Sequence, residues 1–146
     1  MVTDHDAIAA LIYTYAERLD AGDLAGVASL FAHATLRTDG VDGAVRGADD
    51  ILRLYRNSAM LYDGKPCTKH GTTNLIIEVD ESGKTATARS YYTVLQARPE
   101  LPLQIIIAGR YHDRFARVDG AWGFTDRLIF IDLMGDLRHH LKFNLT

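Results

Sequence analysis

The chain has 146 residues, 47% of them hydrophobic and 24% charged, and carries a formal net charge of -3. These values suit one soluble globular domain, 1–146, with a sizeable core. No run of Lys and Arg offers a nucleic-acid surface, and no apolar run reaches the length of a bilayer span, so neither nucleic acid nor a membrane is an expected partner.

The opening segment MVTDHDAIAA carries acids and no basic-then-apolar leader, which makes the cytoplasm the expected location. The spacing predicts a first helix over residues 4–21. Thr3 or Asp4 can cap it, Asp6 suits its first turn, and Ile8, Leu11, Ile12, Tyr15 and Leu19 form one apolar stripe. Gly22 ends it, and Asp23 caps a shorter second helix, LAGVASLF. Ala34–Arg37 reads as a short strand and TDGVDGAVRGADD as turns. A third helix is expected near Asp50–Met60 with Ile51, Leu54 and Tyr55 facing inward.

The period then changes from helical to extended. Strands are expected over His70–Val79, Thr85–Ala97, Leu103–Val118 and Trp122–Asp132. ESGK turns between the first two. RPELP is expected as a loop, because Pro99 and Pro102 cannot donate to a ladder. Asp119-Gly120 marks a hairpin. The tail GDLRHHLKFNLT is polar and fits no element. Helices followed by a long antiparallel meander give an α+β fold, whose curved sheet can enclose a pocket.

Asp20 closes the first helix at the edge of its apolar stripe. A carboxylate there faces the negative end of the helix dipole, and partial burial is expected to raise its pKa. It reads either as a pocket carboxylate or as an exposed or capping acid. His70 opens an apolar strand. It reads either as a general base near neutral pH or as a core-edge histidine bonded to backbone. If the fold brings the two together, the carboxylate would fix the imidazole tautomer and stabilise the imidazolium. Arg127 shares a strand face with Thr125, Ile129 and Ile131, so it is expected to have a partner: a substrate oxyanion, a leaving group, Asp20 or a structural acid. Tyr111 and Asp113 share a face with Ile107 and Gly109, and Gly109 either leaves room for a ligand or bends the strand. His112 falls on the opposite face. Tyr15 lies on the buried stripe five residues before Asp20 and either donates to an oxyanion or fills the core.

Other chemistries find little support. His139-His140 lacks the spacing of a zinc motif and reads as part of a solvated tail. His5 and His33 have no ligand cluster, and no P-loop, dinucleotide fingerprint or G-x-S-x-G elbow is present, so neither cofactor nor metal is expected. The single cysteine, Cys67, cannot pair within the chain, which suits a reducing compartment. It lies beside Pro66 without an activating pattern.

The runs YAERLDAGDLAGVASLF, RGADDI, KHGTTNLIIEVD and GRYHDRFARVDGAWGFTDR together resemble the SnoaL-like polyketide-cyclase branch of the nuclear-transport-factor-2-like superfamily. The resemblance covers nearly the whole chain. It implies a cone-shaped α+β barrel, a curved antiparallel sheet wrapped over three N-terminal helices, with a deep apolar pocket and assembly as a homodimer or homotrimer. It also implies cofactor-free lyase chemistry of the scytalone dehydratase, bile-acid dehydratase and hexachlorocyclohexane dehydrochlorinase kind. By that resemblance Asp20 and His70 are the helix-end aspartate and strand histidine of the site, with Arg127 and Tyr15 beside them. Tyr111, Asp113, Ile107, Ile129 and Tyr55 would line the pocket. The second active-site histidine of scytalone dehydratase has no counterpart on this reading. The expected function is a dehydratase-like lyase or isomerase acting on a small hydrophobic cyclic molecule. The alternative is a non-catalytic ligand-binding or assembly module, like the small subunits of ring-hydroxylating dioxygenases, because fold alone does not choose between them.

Overall fold

Thr3 starts the first helix. In the computed structural model, which describes residues 1–145, its hydroxyl accepts from the Asp6 backbone N–H at 3.1 Å, and the Asp6 carboxylate accepts from the Thr3 N–H in return. This reciprocal cap opens α1 (Asp4–Asp20). Ile8, Ile12, Tyr15, Ala16 and Leu19 are its buried face, while Leu11 packs only at the core's margin. Asp23 caps α2 (Leu24–Ser29) through the Gly26 N–H at 2.9 Å. That helix is shorter than the run LAGVASLF, because Leu30 already leaves it. The third helix, α3 (Ala48–Ser58), begins and ends two residues earlier than the sequence suggested. Its Ile51 is fully buried, whereas Leu54 stays partly exposed.

Six strands follow the order β2-β1-β6-β5-β4-β3. They are β1 (Thr35–Thr38), β2 (Val45–Arg46), β3 (Thr68–Val79), β4 (Thr85–Arg98), β5 (Leu101–Val118) and β6 (Ala121–Met134). The four long strands are antiparallel, but β1 runs parallel to β6, so the sheet is mixed at one edge. The two-residue β2 was hidden in the turn-rich stretch and pairs with β1. Pro102 lies inside β5 rather than in a loop, and the turn is only Pro99-Glu100. Pro102 is exposed near the strand's start, a position where a missing donor is tolerated.

Bulges bend the sheet into a cone. In β3 the pairing slips between Thr73 and Ile76, where Asn74 sits at a φ of 52°. Inward positions therefore pass from His70 and Thr72 to Leu75, Ile77 and Val79, and Ile76 is turned out. In β6 the slip falls at Thr125, so Phe124 and Arg127 both point inward and Thr125 is exposed. Thr125 therefore does not share Arg127's face, because the extra residue breaks the strict alternation. The concave face packs on the helices around Phe31, Phe115, Phe124, Ile8 and Ile12.

The helix α1 is fastened at both ends by an aspartate. Asp4 accepts from Trp122 Nε1 at 3.0 Å and pairs with Arg117 on the β5–β6 hairpin, and Asp20 meets the start of β3. The helix therefore spans the cone and sets where Asp20 stands.

Gly109 neither leaves room for a ligand nor merely bends β5. A Cβ built there would strike the Phe130 carbonyl oxygen and the Tyr92 phenol, which donates to that carbonyl at 2.8 Å. Gly109→Ala is expected to cost about 1–3 kcal/mol by overpacking. Thermal melting checks this, and an unchanged midpoint would contradict the packing described.

Candidate active site

Asp20 and His70 come together. His70 Nδ1 lies 2.6 Å from Asp20 Oδ1, the His70 backbone N–H donates to Oδ2 at 2.9 Å, and the Thr68 hydroxyl donates to Oδ1 at 2.8 Å. Three donors on one carboxylate outweigh the helix dipole, since hydrogen bonds to a charged group contribute about 1.5–3 kcal/mol each and the dipole opposes by about 0.3–1 kcal/mol. The side chains are 11% and 6% exposed. Burial pushes the Asp20 carboxyl up, but the bonds from His70 and Thr68 bring it below its ordinary value. The expected rise in its pKa is thus reversed, and Asp20 is ionised at neutral pH. With an ionised acceptor at Nδ1, the imidazole keeps its proton there and presents a basic Nε2.

His70 forms part of the wall of an apolar cavity of about 240 Å³. Tyr15, Tyr55, Tyr111, Ile107 and Ile129, all expected at the site, line it as well. Wider depressions lie outside the sheet, one of about 590 Å³ beside Glu78–Glu81 and one of about 660 Å³ beside Glu17, Lys65 and Lys69. Asp20 also lines the second of these, but His70 lines neither, so the cavity at His70 is the place where its imidazole can meet an apolar molecule. Tyr15 and Tyr55 share a hydroxyl–hydroxyl bond of 2.6 Å. Burial holds the phenols of Tyr55 and Tyr111 well above their usual range, so both remain protonated donors.

Arg127 and Asp113 do not line this cavity. Arg127 Nε and Nη2 donate to the two Asp113 oxygens at 2.8 and 3.0 Å, and both side chains are fully buried. The guanidinium lies 3.7 Å from the Tyr111 ring centroid and 4.4 Å from that of Tyr15. The partner of Arg127 is therefore Asp113, and the pair sits behind the aromatic floor of the pocket. Burial opposes the arginine's charge, but the carboxylate beside it prevails, and the group stays protonated. Asp113, expected as a lining residue, is instead the counter-ion of this pair.

A second histidine occupies the cavity wall, and it comes from the tail. His140 is not solvated: its ring lies 6.3 Å from that of His70, and both line the cavity with Leu141, Phe143 and Leu145. Burial, with a smaller contribution from His70, lowers its pKa to about 4, against the pull of Asp20. The unfolded chain would take up this proton near pH 6.5. Its contribution to stability is therefore complete above pH 6.5 and is lost as pH falls towards 4, about 3 kcal/mol at most. His140→Phe is expected to flatten the fall in melting temperature between pH 6.5 and 4. Equal slopes in both proteins would contradict this burial.

His112 is exposed, as its strand parity suggested, and packs on Phe130. Cys67 has a φ of 59° and its sulfur lies 3.5 Å from Arg98 Nη1, outside the cavity. Among the described residues no group of three or more His, Cys, Asp or Glu could hold a metal ion. No helix among them is long and apolar enough to cross a membrane.

The SnoaL-like domain matches residues 1–127. The chain belongs to the SnoaL-like family. Solved structures share its fold. Rv3472 from Mycobacterium tuberculosis, a protein of unknown function, is 28% identical over 88% of this chain and 71% of its own, with a TM-score of 0.71. A scytalone-dehydratase candidate from Novosphingobium aromaticivorans is 23% identical over 91% and 87%, at 0.73. LinA is 22% identical over 97% and 92%, at 0.71. The last two show the shared fold, which is the NTF2-like cone. No curated protein matches the sequence. This SnoaL-like chain extends beyond the family match at residue 127, and its tail carries His140.

Proposed function

We propose that this SnoaL-like protein is a cofactor-independent lyase or isomerase. His70 takes a proton from a carbon made acidic by a neighbouring carbonyl, and Asp20 holds the imidazole in the required tautomer. The observation that carries this proposal is the 2.6 Å bond between Asp20 and His70 at the wall of an apolar cavity. A positioned base of this kind contributes about 10²–10⁴-fold. The phenols of Tyr111 and of the Tyr15–Tyr55 pair are the donors available to a developing oxyanion. Arg127 acts through them, because it touches their rings and not the cavity.

The substrate proposed is small, uncharged and cyclic. No described Asp, Glu, Lys or Arg lines the cavity, so an ionic ligand would lose its hydration without a counter-charge. The 240 Å³ corresponds to about eight water volumes at ~30 Å³ each, which suits one or two fused rings. The scytalone-dehydratase candidate among the neighbours is in keeping with an elimination.

The test is hydrogen–deuterium exchange at the α-carbon of cyclohexanone, 1-indanone and 1-tetralone in D2O, followed by NMR. Exchange well above the buffer rate for at least one ketone is expected. Buffer-rate exchange for all three would leave a binding module as the better account.

A homodimer or homotrimer is also proposed. Leu103, Ile105, Leu133 and Met134 are exposed at neighbouring ends of β5 and β6, and a second copy would cover them. Light scattering that gives the monomer mass at micromolar concentration would rule this out.

A further inference from the structure

The C-terminal segment is tied down at the residue before His140. The His139 carbonyl accepts from the Tyr62 hydroxyl at 2.8 Å and from Gln96 Nε2 at 2.9 Å. The fully buried Gln96 also donates to the Pro66 carbonyl at 3.0 Å, which links the tail to the loop ahead of β3. Beyond it, the Met60 N–H donates to the His140 carbonyl at 3.0 Å, and the Lys142 N–H to that of Ser58 at 2.9 Å. So many bonds on so short a stretch fix the His140 backbone against α3 and β4.

The ring of His140 is left unsatisfied. Its Nδ1 is buried and has no hydrogen-bond partner, although the ring stands on the cavity wall. Buried polar groups are almost always paired, so an orphan nitrogen on a ring that lines an apolar cavity points to a missing partner. The other polar groups nearby are largely committed. Tyr15 and Tyr55 use one hydroxyl proton on each other and keep one, Tyr92 bonds the Phe130 carbonyl, and His70 Nδ1 bonds Asp20.

We propose that His140, carried by the C-terminal segment, is a second ligand-contacting imidazole of this pocket, and that its Nδ1–H donates to the oxygen on which negative charge gathers. This rests on the lyase or isomerase reading. In the step, the substrate C–H bond breaks and its proton passes to Nε2 of His70. The electron pair forms the C=C bond, and the carbonyl π pair moves onto oxygen. His140 keeps its own proton and only hydrogen-bonds. It is suited to that part because its burial, with a smaller contribution from the facing His70, keeps it neutral at neutral pH against the pull of Asp20. A neutral imidazole polarises a carbonyl without surrendering a proton to it.

The test uses the full chain and the same three ketones. In wild type, saturating ketone is expected to move the ¹⁵N resonance of His140 Nδ1 and to lower the bound carbonyl stretch. In His140→Phe the stretch should return to its apolar-solvent position, and the kcat for α-exchange should fall about 10²–10³-fold, with KM changed less. His140→Gln, which keeps a donor, should recover part of the stretch. A purely structural His140 would alter the melting temperature and leave the stretch alone. An unmoved Nδ1 resonance in wild type, an unchanged stretch in His140→Phe, or no binding by any of the ketones would overturn the proposal. Exchange that needs His70 but ignores His140 removes this inference alone. Contact at His140 without His70-dependent exchange removes the lyase reading alone.

Discussion

His70→Ala is expected to lower the rate of ketone α-exchange by about 10²–10⁴-fold while the circular dichroism spectrum stays native. The ring lines the cavity and its only bond to another side chain is to Asp20, while the backbone N–H of residue 70 still holds that carboxylate, so its removal deletes the base and leaves α1 tied to β3. Asp20→Asn should have a loss of the same order for a different reason. The amide retains the shape but brings an N–H₂ towards donors that now face a carboxylate, namely the His70 ring, the His70 backbone and the Thr68 hydroxyl. The imidazole then loses the acceptor that sets its tautomer. Because Asp20 also ties α1 to β3, this variant should be less stable as well, by about 1–3 kcal/mol for the mismatched bonds. Wild-type exchange rates in both variants would exclude the mechanism.

Breaking the Arg127–Asp113 pair is expected to have the largest effect on stability. Removing one partner of a buried pair leaves an uncompensated charge and costs about 3–5 kcal/mol. Both side chains here are fully buried, so water cannot relieve it. Against a typical domain stability of about 5–15 kcal/mol, Asp113→Leu or Arg127→Met alone should be close to unfolding. The double variant Asp113→Leu/Arg127→Met should recover most of the loss, because an apolar pair of similar volume suits this site. Urea unfolding of the three variants measures this. Single variants within about 1 kcal/mol of wild type would mean that the guanidinium is satisfied by something other than Asp113.

Much of this frame could be read from the chain, because periodicity survives translation into three dimensions. Thr3, Gly22 and Asp119-Gly120 marked element ends, and the helical stripe of Ile8, Ile12, Tyr15 and Leu19 is the buried face. Asp20 and His70 could be singled out as polar residues at the edges of apolar elements. Their contact depends on how α1 lies across the cone, which no local pattern states. The partner of Arg127 was missed for a specific reason. Counting back from the hairpin pairs Asp113 with Asp126, and the extra residue at Thr125 moves that pairing to Arg127. A bulge has no reliable local signature, so strand parity put both residues inward without joining them. The tail hid His140 because its polar composition masks Leu137, Leu141, Phe143 and Leu145. Their apolar spacing was the available signal that the segment docks, and the last three line the cavity beside His140.

The most direct measurement is a structure of the protein with 1-tetralone, or whichever of the ketones exchanges fastest, bound in the crystal. Proton abstraction by His70 requires the ketone in the cavity lined by Tyr15, Tyr55 and Ile129, with its α-carbon about 3–3.5 Å from Nε2 of His70. A ketone seated in an outer groove, or in the cavity with its α-carbon turned away from His70, would contradict it.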